Sequence, residues 1–191
     1  MNEETSRVAL KPTAGQTVGP FFGYALPYEG GPEVVPPYRA DAVLLHGVVY
    51  DGAGAGIPDA LLEIWQADAS GRISKEPGSF NRDARTFTGF GRAATDAVGH
   101  YQFSTVVPGP VTEGGAPFIA VTIFARGLLD NLYTRIYLPE NEDANARDPL
   151  LASLSDAERA TLIAVRDEDG NLRHDIHLQG EKETVFLEFR R

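Results

Sequence analysis

LLHGVVYDGAGAGIPDALLEIWQADASGRI, residues 44–73, decides the fold. The run Ala42–Tyr50 (AVLLHGVVY) is rich in aliphatic and β-branched residues and stops at Asp51-Gly52, a pair that favours tight turns. Gly54-Ala55-Gly56 and Pro58 prolong that turn into a loop. Ala60–Gln66 (ALLEIWQ) then alternates, with Ala60, Leu62 and Ile64 on one face and Leu61, Glu63 and Trp65 on the other. Two such runs split by turn chemistry point to a sheet of short antiparallel strands.

The same signals recur on both sides of this stretch. His100–Val107 reads as a strand that ends at Pro108-Gly109-Pro110. Phe118–Ala125 (FIAVTIFA) is apolar on both faces, as a strand in the middle of a sandwich would be. Leu132–Leu138 and Arg173–Leu178 follow, Asp169-Gly170 makes another hairpin turn, and Val185, Leu187 and Phe189 alternate toward the C-terminus. Residues 67–95, rich in Gly, Ser, Asp and Arg, read as a long loop excursion. A capping box at Ser155-Asp156-Ala157-Glu158, followed by Ala160, Leu162 and Ile163, predicts one short helix. Residues 1–40 hold six of the 13 prolines together with two phenylalanines and three tyrosines, so they read as an irregular arm ordered by packing on a partner. The expectation is an all-β chain: an antiparallel β-sandwich with long loops over 41–191, one short helix and the irregular N-terminal arm over 1–40.

Composition narrows the function. A formal net charge of −10 argues against nucleic acid or an anionic membrane as partner, because like charges repel. With no cysteine in its 191 residues the chain has no disulfide, no thiolate ligand and no thiol nucleophile. Met1 leads into Asn2-Glu3-Glu4-Thr5 without a basic start or an apolar run, so no signal peptide is expected and cytoplasm is the expected compartment. No stretch approaches the ~20 apolar residues of a membrane-spanning helix.

Read residue by residue, the chain shows no catalytic constellation. His46, His100, His174 and His177 form neither a His-x-His pair on a strand nor a one-turn pair on a helix, and His174 and His177, three apart in a strand-like segment, point to opposite faces. No Gly-x-Ser-x-Gly or phosphate loop occurs. Glu63, beside Trp65 in an apolar strand, reads first as a rim residue, with an interface or hydrogen-bonded role as the alternative. These features favour a binding or partner subunit. A free β-sandwich binding module and an enzyme that uses His174 and His177 remain the alternatives.

Residues 44–73, with Trp65-Gln66-Ala67-Asp68 in register, resemble the signature of the intradiol ring-cleavage dioxygenases. The resemblance continues through 90–111, 119–139 and 175–189 and includes the arm motif Gln16-Thr17-Val18-Gly19-Pro20-Phe21. Catalytic members hold a ferric ion with two tyrosines and a His-x-His pair. The resemblance places the tyrosine positions at Ile73 and Val111 and the histidine positions at Val121 and Ile123. Aliphatic side chains carry no lone pair, so this chain is expected to bind no metal, and core packing is the expected role of all four residues. Such substitution resembles the iron-free subunit of two-chain members. Phe124-Ala125-Arg126-Gly127 and residues 179–186 are further features of that type. The resemblance implies a homologous iron-binding β subunit carrying Fe(III), assembly as repeated αβ units, and protocatechuate (3,4-dihydroxybenzoate) at the shared interface. It also implies that Thr17, Gly19, Pro20 and Arg126 form part of the substrate-pocket wall, with no catalytic residue in this chain.

Overall fold

The structure, a computed structural model, describes residues 21–76 and 82–189. Four strands form one sheet in the order β3 (Phe90–Ala94), β2 (Leu61–Trp65), β5 (Phe118–Phe124), β6 (Leu132–Tyr137), and every pairing in it is antiparallel. The second sheet runs β4 (His100–Val106), β1 (Ala42–Tyr50), β8 (Leu172–Arg173), β7 (Val165–Arg166), with β9 (Ile176–His177) also paired to β1. The long β1–β4 pairing is antiparallel, whereas the two-residue strands β8 and β9 lie parallel to β1.

The sheets face each other across one core. Alternation on each strand sends Leu45 and Val49 of β1, Leu62 and Ile64 of β2, Phe103 of β4, Ile119, Val121 and Ile123 of β5 and Ile136 of β6 into it. Burial of each such side chain contributes about 1.5–3 kcal/mol. Gln66, from the Trp-Gln-Ala motif, stitches the sheets together at one end. Its Nε2 donates to the Val106 carbonyl at 2.8 Å, and Thr105 Oγ1 donates to its Oε1 at 2.7 Å, so a buried amide is satisfied from both sides.

Glu63 is not a loose rim carboxylate. It faces Arg92 directly across the β2–β3 pair and accepts from its Nε at 2.8 Å and from Nη2 at 2.6 Å, and Arg92 Nη1 donates to the Leu26 carbonyl of the arm. The described part of the arm packs on this chain itself. Phe22 of α1 (Phe21–Ala25) is buried against Phe124, Val34 joins the main core, and Glu33 bridges Ser104.

The structure differs from the sequence expectation at several places. Among the described residues four short helices stand where one was expected: α1, α2 (Glu142–Arg147), α3 (Pro149–Ala152) and α4 (Asp156–Ala160). The capping box opens α4 as expected. Helix α3 starts from Asp148, whose carboxylate accepts from the Leu150 and Leu151 amides with Pro149 at the first helical position, a signal hidden inside a segment too short for helical periodicity. The excursion over 67–95 contains β3, whose Gly91-Arg92-Ala93 centre masked its strand character. The expected strand Arg173–Leu178 is interrupted into β8 and β9 at His174 and Asp175, where Asp175 Oδ1 accepts from the Val48 amide. The Val185–Phe189 alternation forms no strand. That segment is tied instead by Thr134 Oγ1 to the Val185 carbonyl and by the Leu187 amide to the Tyr133 carbonyl.

Candidate functional site

The loop after β2 and the loop after β4 are locked together by two glycines. Gly71 has φ +81°, and a Cβ there would lie 2.0 Å from the Pro110 carbonyl oxygen. A Cβ on Gly109 would lie 2.5 Å from the Ala69 carbonyl oxygen. Only residues without a side chain allow this approach. Both glycine amides donate to the Asp68 carbonyl at 2.9 Å, and the Asp68 carboxylate accepts from Ser70 and Arg72. These hydrogen bonds, that of the Ser70 hydroxyl foremost, hold the Asp68 carboxyl down at about 2.

The lock brings Ile73 and Val111 onto one cavity of about 350 Å³, which Phe118 at the start of β5, Arg147 and Asp148 also line. The Arg135 guanidinium lies over the Phe118 ring, 4.1 Å from its centroid, and donates to the Tyr137 hydroxyl. Tyr137 in turn donates to Asp148 at 3.1 Å. The Asp148 carboxylate is therefore taken up by one hydroxyl and two helix amides.

Core packing was expected for Ile73, Val111, Val121 and Ile123, and the structure corrects it for two of them. Ile73 and Val111 are 50% and 53% exposed and line the cavity, because both sit on loops beyond the sheet edge. Val121 and Ile123 are 2% and 0% exposed and face the space between the sheets. Side chains on a strand alternate, so Val121 and Ile123 cannot share a site with the loop pair. The outward residues of β5 are Phe118, Ala120, Thr122 and Phe124, and Phe118 is the one that reaches the cavity. The sequence hid this because β5 is apolar on both faces, so composition does not say which face looks outward.

Arg126 lies beyond the other end of β5. Its Nε and Nη2 donate to Asp59 Oδ2 at 2.8 and 2.6 Å, and its side chain is 66% exposed. Phe22, two residues after Pro20, packs on Phe124, two residues before Arg126. Thr17, Gly19 and Pro20 lie outside the described residues. Elsewhere, His174 is buried with its Nε2 unpartnered among the described residues, and His177 stacks on Tyr50 at 4.8 Å, so the two imidazoles have separate surroundings. Among the described residues no group of three or more His, Asp or Glu side chains is placed to hold a metal ion, and no helix is long and apolar enough to cross a membrane.

Residues 38–180 match the family described as Dioxygenase, and the chain belongs to the intradiol ring-cleavage dioxygenases. Within that family it is 40% identical over 196 residues to the protocatechuate 3,4-dioxygenase alpha chain of Burkholderia cepacia, covering 94% of this chain and 98% of that one. It is also homologous to the protocatechuate 3,4-dioxygenase beta chain of the same organism, at 30% identity over 131 residues, 65% of this chain and 55% of that one. Among solved structures, the dioxygenase domain of a dioxygenase carbohydrate-binding protein fusion from Streptomyces sp. SirexAA-E superposes with a TM-score of 0.56 at 24% identity. That match covers 87% of this chain and 96% of that one, and it shows the shared fold.

The iron of this family does not fit the residues present here. Ferric iron requires anionic oxygen or imidazole donors. The cavity offers it two aliphatic side chains and a phenyl ring, and Asp148, whose Oδ1 accepts three hydrogen bonds, is the one carboxylate on its lining among the described residues.

Proposed function

We propose that this chain is the iron-free α subunit of a protocatechuate 3,4-dioxygenase, paired with a homologous β subunit that carries Fe(III) and repeated as αβ units. The observation that carries this reading is the convergence of Ile73 and Val111, the positions that the resemblance assigns to the two tyrosines, on one cavity where neither side chain offers a donor. The complex would open the ring of 3,4-dihydroxybenzoate with O₂ between the two hydroxylated carbons, giving 3-carboxy-cis,cis-muconate and feeding the β-ketoadipate pathway. The iron of the partner supplies orientation and Lewis acidity to a bound catechol.

In this reading the present chain contributes wall and interface. Thr17, Gly19 and Pro20, which lie outside the described residues, would form part of the substrate-pocket wall. Arg126 supplies a guanidinium that offsets the repulsion a chain of net charge −10 exerts on an incoming carboxylate. The packing of Phe22 on Phe124 supports placing the arm and Arg126 together. In the lone chain Asp59 holds Arg126, so the substrate carboxylate would compete with that surface pair. A cytoplasmic site of action fits the cysteine-free composition.

The test is co-expression with a homologous chain that retains the two tyrosines and the His-x-His pair. Iron per chain and O₂ consumption with protocatechuate are measured for the complex and for each chain alone. Activity should require the pair, and iron should travel with the partner. Near-stoichiometric iron and turnover in the present chain alone would overturn the reading.

A further inference from the structure

Arg126 can orient a passing carboxylate only if its guanidinium is itself held, and the group that holds it is Asp59. In the antiparallel register of β2 with β5, Leu61 stands opposite Phe124. Asp59 and Arg126, two residues further out on each chain, continue that register beyond the strand ends, so the sheet itself sets the pair. Its two members are unequally anchored. Asp59 lies in a segment clamped by Thr95, whose Oγ1 donates to the Ile57 carbonyl at 2.7 Å and accepts from the Ala60 amide at 3.0 Å, and whose amide donates to the Ala60 carbonyl at 2.9 Å. Thr95 and Ala60 are both buried. Arg126 sits on a turn past β5, closed by the Leu128 amide on the Ala125 carbonyl, with its side chain in solvent. A long exposed side chain samples many rotamers unless something holds it. Nε and Nη2 both donate to Asp59 Oδ2, so the side-on edge of the guanidinium is taken, while Nη1 has no partner among the described residues.

We infer that Asp59 is a positioning residue for Arg126: it holds the side-on edge so that the Nη1–Nη2 edge stays presented to the substrate carboxylate. The inference rests on the pocket-wall role proposed above for Arg126 and adds the group through which that role is set. A carboxylate arriving at the Nη1–Nη2 edge competes with Asp59 through charge, without displacing it. The charge of Asp59 opposes the incoming anion, whereas its geometry fixes the cation that receives it. These two effects have opposite signs and separate in the kinetics. Charge acts on KM, and a fixed guanidinium sets the fraction of bound substrate held in the reacting pose and so acts on kcat.

The experiment uses the complex reconstituted with an iron-binding homologous chain, with O₂ uptake on protocatechuate, and the full present chain alone, carrying isotope-labelled arginine for NMR. Asp59→Ala should lower kcat about tenfold with KM unchanged or lower. Asp59→Asn keeps an oxygen for the Nε–H and should bring kcat back to within about threefold of the parent, while Asp59→Glu, which keeps the charge and moves the oxygen by a methylene, should not. In an Arg126→Ala background, Asp59→Ala should cost nothing further. In the lone chain the Arg126 Nε–H signal, assigned by its absence from Arg126→Lys, should exchange with water about threefold faster in Asp59→Ala than in the parent or Asp59→Asn, the protection a largely exposed pair gives. If Arg126→Ala is slow, then parent kcat in Asp59→Ala, or an equal loss with Arg126 already removed, would overturn the positioning role and leave the pocket-wall reading standing. Equal exchange in all forms would overturn it as well. Parent kinetics in Arg126→Ala would sink the pocket-wall reading itself, and this inference with it.

Discussion

The two ends of β5 show how one strand can serve two purposes. At its start Phe118 joins Ile73 and Val111 in a cavity whose walls are apolar and loop-borne. Past its end Arg126 stands in an ion pair with Asp59, two residues beyond Phe124, on which the arm residue Phe22 packs. The six steps from Phe118 to Phe124 span about 20 Å at the ~3.3 Å rise of a strand, too far for one ligand to touch both ends. The first end offers a cavity with two aliphatic side chains and a phenyl ring on its walls. The second carries a charged group in a partly exposed ion pair. One strand thus ends in an apolar cavity on one side and in a charged pair on the other, and the two ends can be tested separately.

The largest expected effect tests the inner face of β5 against the loop pair. Val121→His with Ile123→His places two imidazoles in the inter-sheet core and should cost about 4–6 kcal/mol, from unpaired polar groups and lost apolar packing. Ile73→Tyr with Val111→Tyr changes exposed positions and should stay within about 1 kcal/mol. Urea denaturation of the two double variants measures both. Equal losses would mean that the cavity residues are packed after all, and the contrast between loop and core would fail.

The core has an acid response of its own. His174 is fully buried, and burial pushes its imidazole down to about 4 from an ordinary value near 6.5. A base held below its unfolded pKa is protonated more readily in the unfolded chain. Its stabilising contribution is complete above about pH 6.5 and is lost as the pH falls toward 4, up to about 3 kcal/mol. Denaturation midpoints measured between pH 7.5 and 5 should fall, and His174→Leu should flatten that slope. The acidic groups facing the ring give little compensation, because Asp175 is already paired with Arg173 and hydrogen-bonded to the Val48 amide. A slope that survives His174→Leu, or that follows Arg126→Ala instead, would assign the acid response elsewhere.

The smallest effect in energy carries the most for function. Arg126→Ala should lower kcat/KM of the reconstituted αβ complex by about ten- to a hundredfold while leaving assembly intact. Stability of the lone chain should change by less than about 1 kcal/mol, because the Asp59 pair is largely exposed. Arg126→Lys should restore only part of the rate, since an ammonium lacks the planar fork. Unchanged kinetics would reduce Arg126 to the surface partner of Asp59. Loss of assembly on size-exclusion chromatography would make it an interface residue.

The sequence by itself determined the β-sandwich, the boundaries of β1 and the capped start of α4, because alternation, Asp-Gly turns and capping boxes are local signals read from neighbouring residues. It also determined that the expected ligand positions carry no donors, which is a matter of side-chain chemistry alone. Only the tertiary structure decided which residues share a site. Ile73 and Val111 meet because Gly71 and Gly109 let two distant loops interlock. Val121 and Ile123 are excluded because the outward face of β5 is set by what packs on each side of it, and a strand apolar on both faces does not announce that choice. The partner of Arg126 was likewise invisible in the chain, since Asp59 lies 67 residues away and is brought near only by the pairing of β2 with β5.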